Sequence, residues 1–202
     1  DVCSSDLSQI GALTTSQVSW IKENDLAALS SAQINAFSSS QIRALGTSAL
    51  LQALTPSQVS ALSSLQLNAL SSMQMASMTS AQVTALTSRQ LATLSTGLVR
   101  AIETDDLVAM DGAALRGFTP GQLLALSSSQ LLALTTTQLP ALSTKQIAAL
   151  STQQVKLLDS SQVASLTSAQ LRAMGAAQVQ AIDPTELNAD RKSTRLNSSH
   201  AN

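Results

Sequence analysis

Thr55-Pro-Ser-Gln-Val-Ser-Ala-Leu62 carries a hydroxyl first, proline second, glutamine fourth and apolar residues fifth and eighth. Thr79 to Leu86 (TSAQVTAL) and Ser143 to Leu150 (STKQIAAL) repeat it. Followed outward in both directions, the octad Ser/Thr-x-x-Gln-(Val/Ile/Leu)-x-Ala-Leu recurs 23 times from Leu7 to Ala189, with a single one-residue slip within Gly46 to Leu54. Self-similarity at a fixed short period sets the architecture before any other feature.

Position 5 is apolar in all 23 copies, and position 8 in 22 of them. In a continuous α-helix, turning about 100° per residue, an eight-residue repeat shifts the apolar stripe by about 80° each time and smears it around the cylinder. In a flat strand, positions 5 and 8 have opposite parity and face opposite sides. The polar positions resolve this. Ser or Thr at position 1 with Gln at position 4 is a capping box, in which the hydroxyl accepts from the backbone N–H three residues on and the glutamine reaches back to the cap's own N–H. Position 4 is Gln in 17 copies and acidic in three more, Asp25, Asp106 and Glu186. Pro56, Pro120 and Pro184 fall at position 2, the first helical residue, where proline is best tolerated. Each octad therefore reads as a short capped helix that stops where the next cap begins.

Such a helix is too short to stand alone, because nucleation is offset only over about 12 to 15 residues in water. The expected fold is all-α, a solenoid of short capped helices, one per octad, with a β-solenoid as the alternative. Positions 5 and 8 form its core, Ala at position 7 permits close approach, and positions 3 and 6 face water. Arg89, Lys145, Arg43, Arg100, Arg116, Lys156 and Arg172 all occupy positions 3 or 6. Pro140, at position 6, removes an N–H and is expected to shorten or distort its helix.

A longer period overlies the octad. Val18 to Leu26, Val99 to Leu107 and Val179 to Leu187 align at spacings of 81 and 80, and Phe37 and Phe118 are also 81 apart. Ten octads make a module, giving modules at 22–102 and 103–182 with partial copies on either side.

The ends depart from the pattern. Asp190-Arg-Lys-Ser-Thr-Arg-Leu-Asn-Ser-Ser-His200 back-translates to a string that resembles a widely used short-read sequencing adapter, and Asp1 to Asp6 to the reverse complement of its start. Residues 1–7 and 190–202 are accordingly read as adapter-derived and 8–189 as the repeat solenoid. This sets aside Cys3 and His200, the only Cys and His, together with Arg191, Lys192 and Arg195.

The remainder, with eight basic and nine acidic residues, has no general electrostatic grip on nucleic acid or anionic lipid. No apolar run exceeds four residues, so no segment is expected to insert in a membrane. Without Cys, His or Tyr there is no thiolate or imidazole chemistry, and Ser, Thr and Gln at solvated cap positions supply no nucleophile, base and orienting group. No catalytic, cofactor-binding or metal-ligating residue is assigned, no cofactor is expected, and the chain reads as non-enzymatic. Glu103, Asp105, Asp106 and Asp111 lack the calcium-loop pattern D-x-D-x-D-G with its distal Glu. They read as structural: Asp106 in the capping-box slot, Asp111 as a cap, Asp105 wet and Glu103 near a helix start. Trp20, Phe37 and Phe118 occupy Ala or Leu slots and read as core, and the five methionines include three at core slots.

Arrays of this LTxxQIxAL type resemble segments of very large bacterial repeat proteins, often labelled haem-utilisation or adhesin-like. The resemblance spans the whole repeat stretch and implies an extracellular or cell-surface location. It also implies a structural or adhesive stalk, with a host or cell-surface protein, a glycan, or neighbouring modules of the same chain as partners. The haem label has no counterpart in these residues, since only Met remains among common axial ligands. An alternative is a protein- or glycan-binding solenoid that uses the acidic octads. Thr55 to Leu62 and Thr119 to Leu126 (TPGQLLAL) also look like the opening helix of transcription-activator-like effector repeats. The base-reading loop, long second helix and basic stripe of those repeats are missing, so nucleic acid is not an expected partner.

Overall fold

The computed structural model describes residues 4–46 and 48–182. Among these, 21 α-helices of four to nine residues and one 3-10 turn follow one another, with no strand. The all-α solenoid is therefore the architecture, and the β-solenoid alternative falls away.

The local rule is visible in Pro56–Ala61. Its cap Thr55 is extended at φ −69° and ψ 155°. The Thr55 Oγ1 accepts from the Gln58 N–H at 3.2 Å, while the Thr55 N–H donates to Gln58 Oε1 at 2.7 Å. The helix closes with a tight turn in which the Leu62 N–H donates to the Val59 carbonyl at 3.1 Å, and Ser63 then begins the next cap. Propagation would require Ser63 to be helical, and its own capping box holds it extended at ψ 158° instead. Pro56 and Pro120 both open their helices. Pro184 lies outside the described residues.

Contacts divide the chain into two compact units, one ending at Met110 and the other starting at Asp111. Within the first, helices three octads apart pack together: Ser31–Asn35 on Pro56–Ala61, which in turn packs on Ser80–Thr84. Within the second, Thr144–Ala148 packs on Ser168–Ala173 in the same way. Inside these stacks position 5 is sealed, with Ile34, Val59, Leu67, Met75 and Leu107 all at 0 % exposure. Full burial of such a side chain contributes about 1.5–3 kcal/mol, a stabilisation a six-residue helix cannot find within itself. Position 8 closes the core from the other side of each turn, as Leu45, Leu54 and Phe118 show. Four methionines, not three, are core: Met75, Met78, Met110 and Met174.

Positions 3 and 6 are solvated, and all seven basic side chains placed there are exposed. Pro140 has the expected effect, since its octad forms only the 3-10 turn Leu139–Ala141. Gly46 absorbs the slip. It takes a φ of +23°, where a side chain would be strained, and lets the next octad restart in register.

Two expectations are corrected. Trp20 is 79 % exposed, whereas Phe37 and Phe118 are core. The tryptophan holds position 7, where alanine allows helices to approach closely, and an indole is too large for that gap. Glutamine at position 4 is not a solvated capping group either. Fourteen of these glutamines are buried, and that burial organises the candidate site.

Candidate functional site

The buried glutamines make two kinds of bond. In Gln58, Gln66, Gln82, Gln90, Gln162 and Gln170 the Oε1 accepts from the cap N–H, as the capping box requires, and the Nε2 donates to another octad. Gln90 Nε2 donates to the carbonyls of Val59 and Leu62 at 3.0 and 2.8 Å. Gln82 does the same to Leu51 and Leu54, and Gln170 to Leu139 and Leu142. The acceptors are positions 5 and 8 of the octad four earlier, 31 and 28 residues back. Across the slip the separations become 32 and 29, with Gln58 on Leu26 and Leu29 and Gln66 on Ile34 and Phe37. These two rungs stay in structural register while the sequence register shifts, whereas Gln74, the next, donates to the position-6 carbonyl of Arg43 at 3.2 Å instead. Packing three octads apart and bonding four apart together close a turn after between three and four octads within each unit.

These carbonyls belong to helix ends: the position-5 carbonyl already accepts from the N–H that closes its own turn, as Val59 does from Leu62, whereas the position-8 carbonyl lies past the helix and gains its partner from the glutamine. Leaving a buried polar group unsatisfied costs about 1–3 kcal/mol. The glutamine thus caps the start of its own helix and the end of another. The serine and threonine hydroxyls at position 1 are consumed at the caps, as Thr55, Ser63 and Thr87 show, and so are already engaged in stability.

The ladder fails where the sequence departs from consensus. Leu98 puts an apolar side chain in the slot and is buried at 4 % exposure. Asp106 is also 4 % exposed. Ser80 Oγ donates to its Oδ1 at 2.5 Å, and its Oδ2 is buried with no hydrogen-bond partner. Its cap residue Glu103 makes no side-chain cap, so the expected capping-box role of Asp106 is replaced by this contact between helices. Glu103 and Asp105 are exposed. Asp111 is a cap, accepting from the Ala114 N–H at 2.6 Å. The four acidic residues thus do not converge, and among the described residues no three of His, Cys, Asp or Glu gather to hold a metal.

Elsewhere, Trp20 stands beside a shallow groove lined by Ser19, Ile21, Lys22, Glu23, Asn24 and Leu50. Sequence reasoning gave no role to Ser80; only a contact 26 residues away in the chain brings it to Asp106.

A joint that many of these octads share is Ala-Leu followed by Ser/Thr-x-x-Gln, as in Ala133-Leu-Thr-Thr-Thr-Gln138. Residues 21–50, 99–136 and 133–168 match the ALTTAQ repeat family. In ALTTAQ-type terms, the matched motif joins the end of one helix to the capping box of the next, and its closing glutamine is the ladder residue. No curated protein matches the chain. No helix among the described residues is long and apolar enough to cross a membrane.

Proposed function

We propose that this ALTTAQ-type array is a non-enzymatic structural segment, a stalk or scaffold within a large bacterial surface or secreted protein, that holds other domains at a distance. The glutamine ladder is the observation that carries this reading. It ties octads such as those of Gln58, Gln90 and Gln170 to ones four places earlier through backbone carbonyls, which every residue type possesses, so octads can be added without designing a new interface each time. The surface positions are left to Ser, Thr and scattered charges, which suits a spacer exposed to solvent.

The reading is tested by joining one, two and four copies of residues 22–182 and measuring contour length by force spectroscopy. A spacer yields folded length and total unfolding work that grow in proportion to copy number. Arrays that aggregate or lose helicity as copies are added would refute it.

A second reading is supported by exposed Glu103 and Asp105 and by exposed Trp20. Here the surface itself binds a protein or glycan. Trp20, the single tryptophan, reports directly: a saturable change in its fluorescence on adding a glycan panel, lost in Trp20→Ala, would favour binding over a pure spacer.

A further inference from the structure

Asp106 occupies a slot built for an amide. The neighbouring rungs define what that slot faces. Gln82 and Gln90 each place Nε2 against carbonyls 31 and 28 residues back, and the corresponding pair for Asp106 is Met75 and Met78. An ionised carboxylate has no hydrogen to donate to either. Asp106 is also one methylene shorter than glutamine, so its oxygens stop about 1.5 Å short of the amide position. The slot thus holds a buried, unpartnered Oδ2 on a side chain only 4 % exposed, at the repeat position from which Gln82 and Gln90 present an N–H to backbone carbonyls.

A buried charge is strongly unfavourable unless something of opposite sign compensates it. Leu98, the rung before, shows that the array tolerates loss of the amide when the replacement is apolar. Asp106 is different because it adds charge. The exchange of amide for carboxylate also recurs, since Asp25 and Glu186 hold the same position 81 residues before and 80 after. Asp25 is exposed, and Glu186 lies outside the described residues.

We propose that Asp106, with the backbone carbonyls of Met75 and Met78, binds a hard monovalent cation of the sodium or potassium class, which replaces the missing amide rung. Carboxylate and carbonyl oxygens are the ligands hard cations take. One carboxylate among neutral oxygens balances a single positive charge. A calcium-type site would draw on further carboxylates, and Glu103 and Asp105 are turned to solvent. Ser80 holds Oδ1 and leaves Oδ2 for the ion.

The test is thermal unfolding of the full chain in sodium, potassium, calcium or tetramethylammonium chloride at equal ionic strength, for the parent chain, Asp106→Gln and Asp106→Asn. The parent melts about 2–4 °C higher in sodium or potassium than in tetramethylammonium, the size of shift that modest binding produces in a domain of this length. Asp106→Gln, which restores the amide, folds and loses the difference. Crystals grown in rubidium chloride show an anomalous peak at Asp106. Equal salt responses in parent and variants, a response to calcium alone, or stabilisation that comes only from acidification would each overturn the assignment.

Discussion

Gln90 and Val59 lie 31 residues apart in the chain and are joined by a 3.0 Å hydrogen bond from the Gln90 amide nitrogen to the Val59 carbonyl. The same glutamine accepts from the Thr87 N–H at 2.8 Å. One side chain therefore sets where a helix begins and to which earlier helix it is fastened.

Gln90→Met keeps the volume and removes the cap bond together with the bonds to the Val59, Ser60 and Leu62 carbonyls. It should cost about 1–3 kcal/mol, more than Thr87→Ala, which loses the hydroxyl cap and should cost about 1 kcal/mol. Urea unfolding followed by circular dichroism ranks the two. Equal costs would reduce the glutamine to a capping residue.

Gly112 and Ala141 test the close approach around the 3-10 turn. A Cβ at Gly112 would come within 2.4 Å of the Ala141 Cβ. Gly112→Ala should destabilise by about 1–3 kcal/mol, as overpacking does. Ala141→Gly should recover part of this loss in the double variant, and a cycle of the four proteins by chemical denaturation measures the coupling. Simple additivity would show that the two positions do not meet.

Leu67 and Leu65 share one helix and contrast sharply. Leu67 is fully buried, and Leu65 is 79 % exposed. Leu67→Ala should cost about 2–5 kcal/mol and Leu65→Ala less than about 0.5 kcal/mol. Comparable losses in melting experiments would place the core on the wrong face of the octad.

Trp20 should emit like free tryptophan in water and be fully open to acrylamide quenching, because its indole is 79 % exposed. A blue-shifted, protected emission would return it to the core, where its slot alone had suggested it belonged.

Most of the fold was legible because it is local. Ser or Thr at position 1, Gln at position 4 and proline at position 2 determine a capped helix within a few residues, and the 3-then-5 apolar spacing selects its buried face. Pro140 was equally readable, since loss of an N–H is a property of the residue itself. Trp20 was misread because slot identity predicts burial only when the side chain fits the gap. The role of Ser80 left no local trace, since its partner lies 26 residues on.

By itself, the sequence determined the helices, their starts and stops, and the residues that form the core, all consequences of capping chemistry and hydrophobic periodicity at short range. Only the tertiary structure decided which octads meet, that the position-4 glutamine is buried, and that its free amide satisfies carbonyls 28 and 31 residues earlier. The physical reason is that backbone carbonyls are the same in every residue. A bond to one writes nothing into the acceptor's sequence, and the partner becomes visible only when the chain has turned back upon itself.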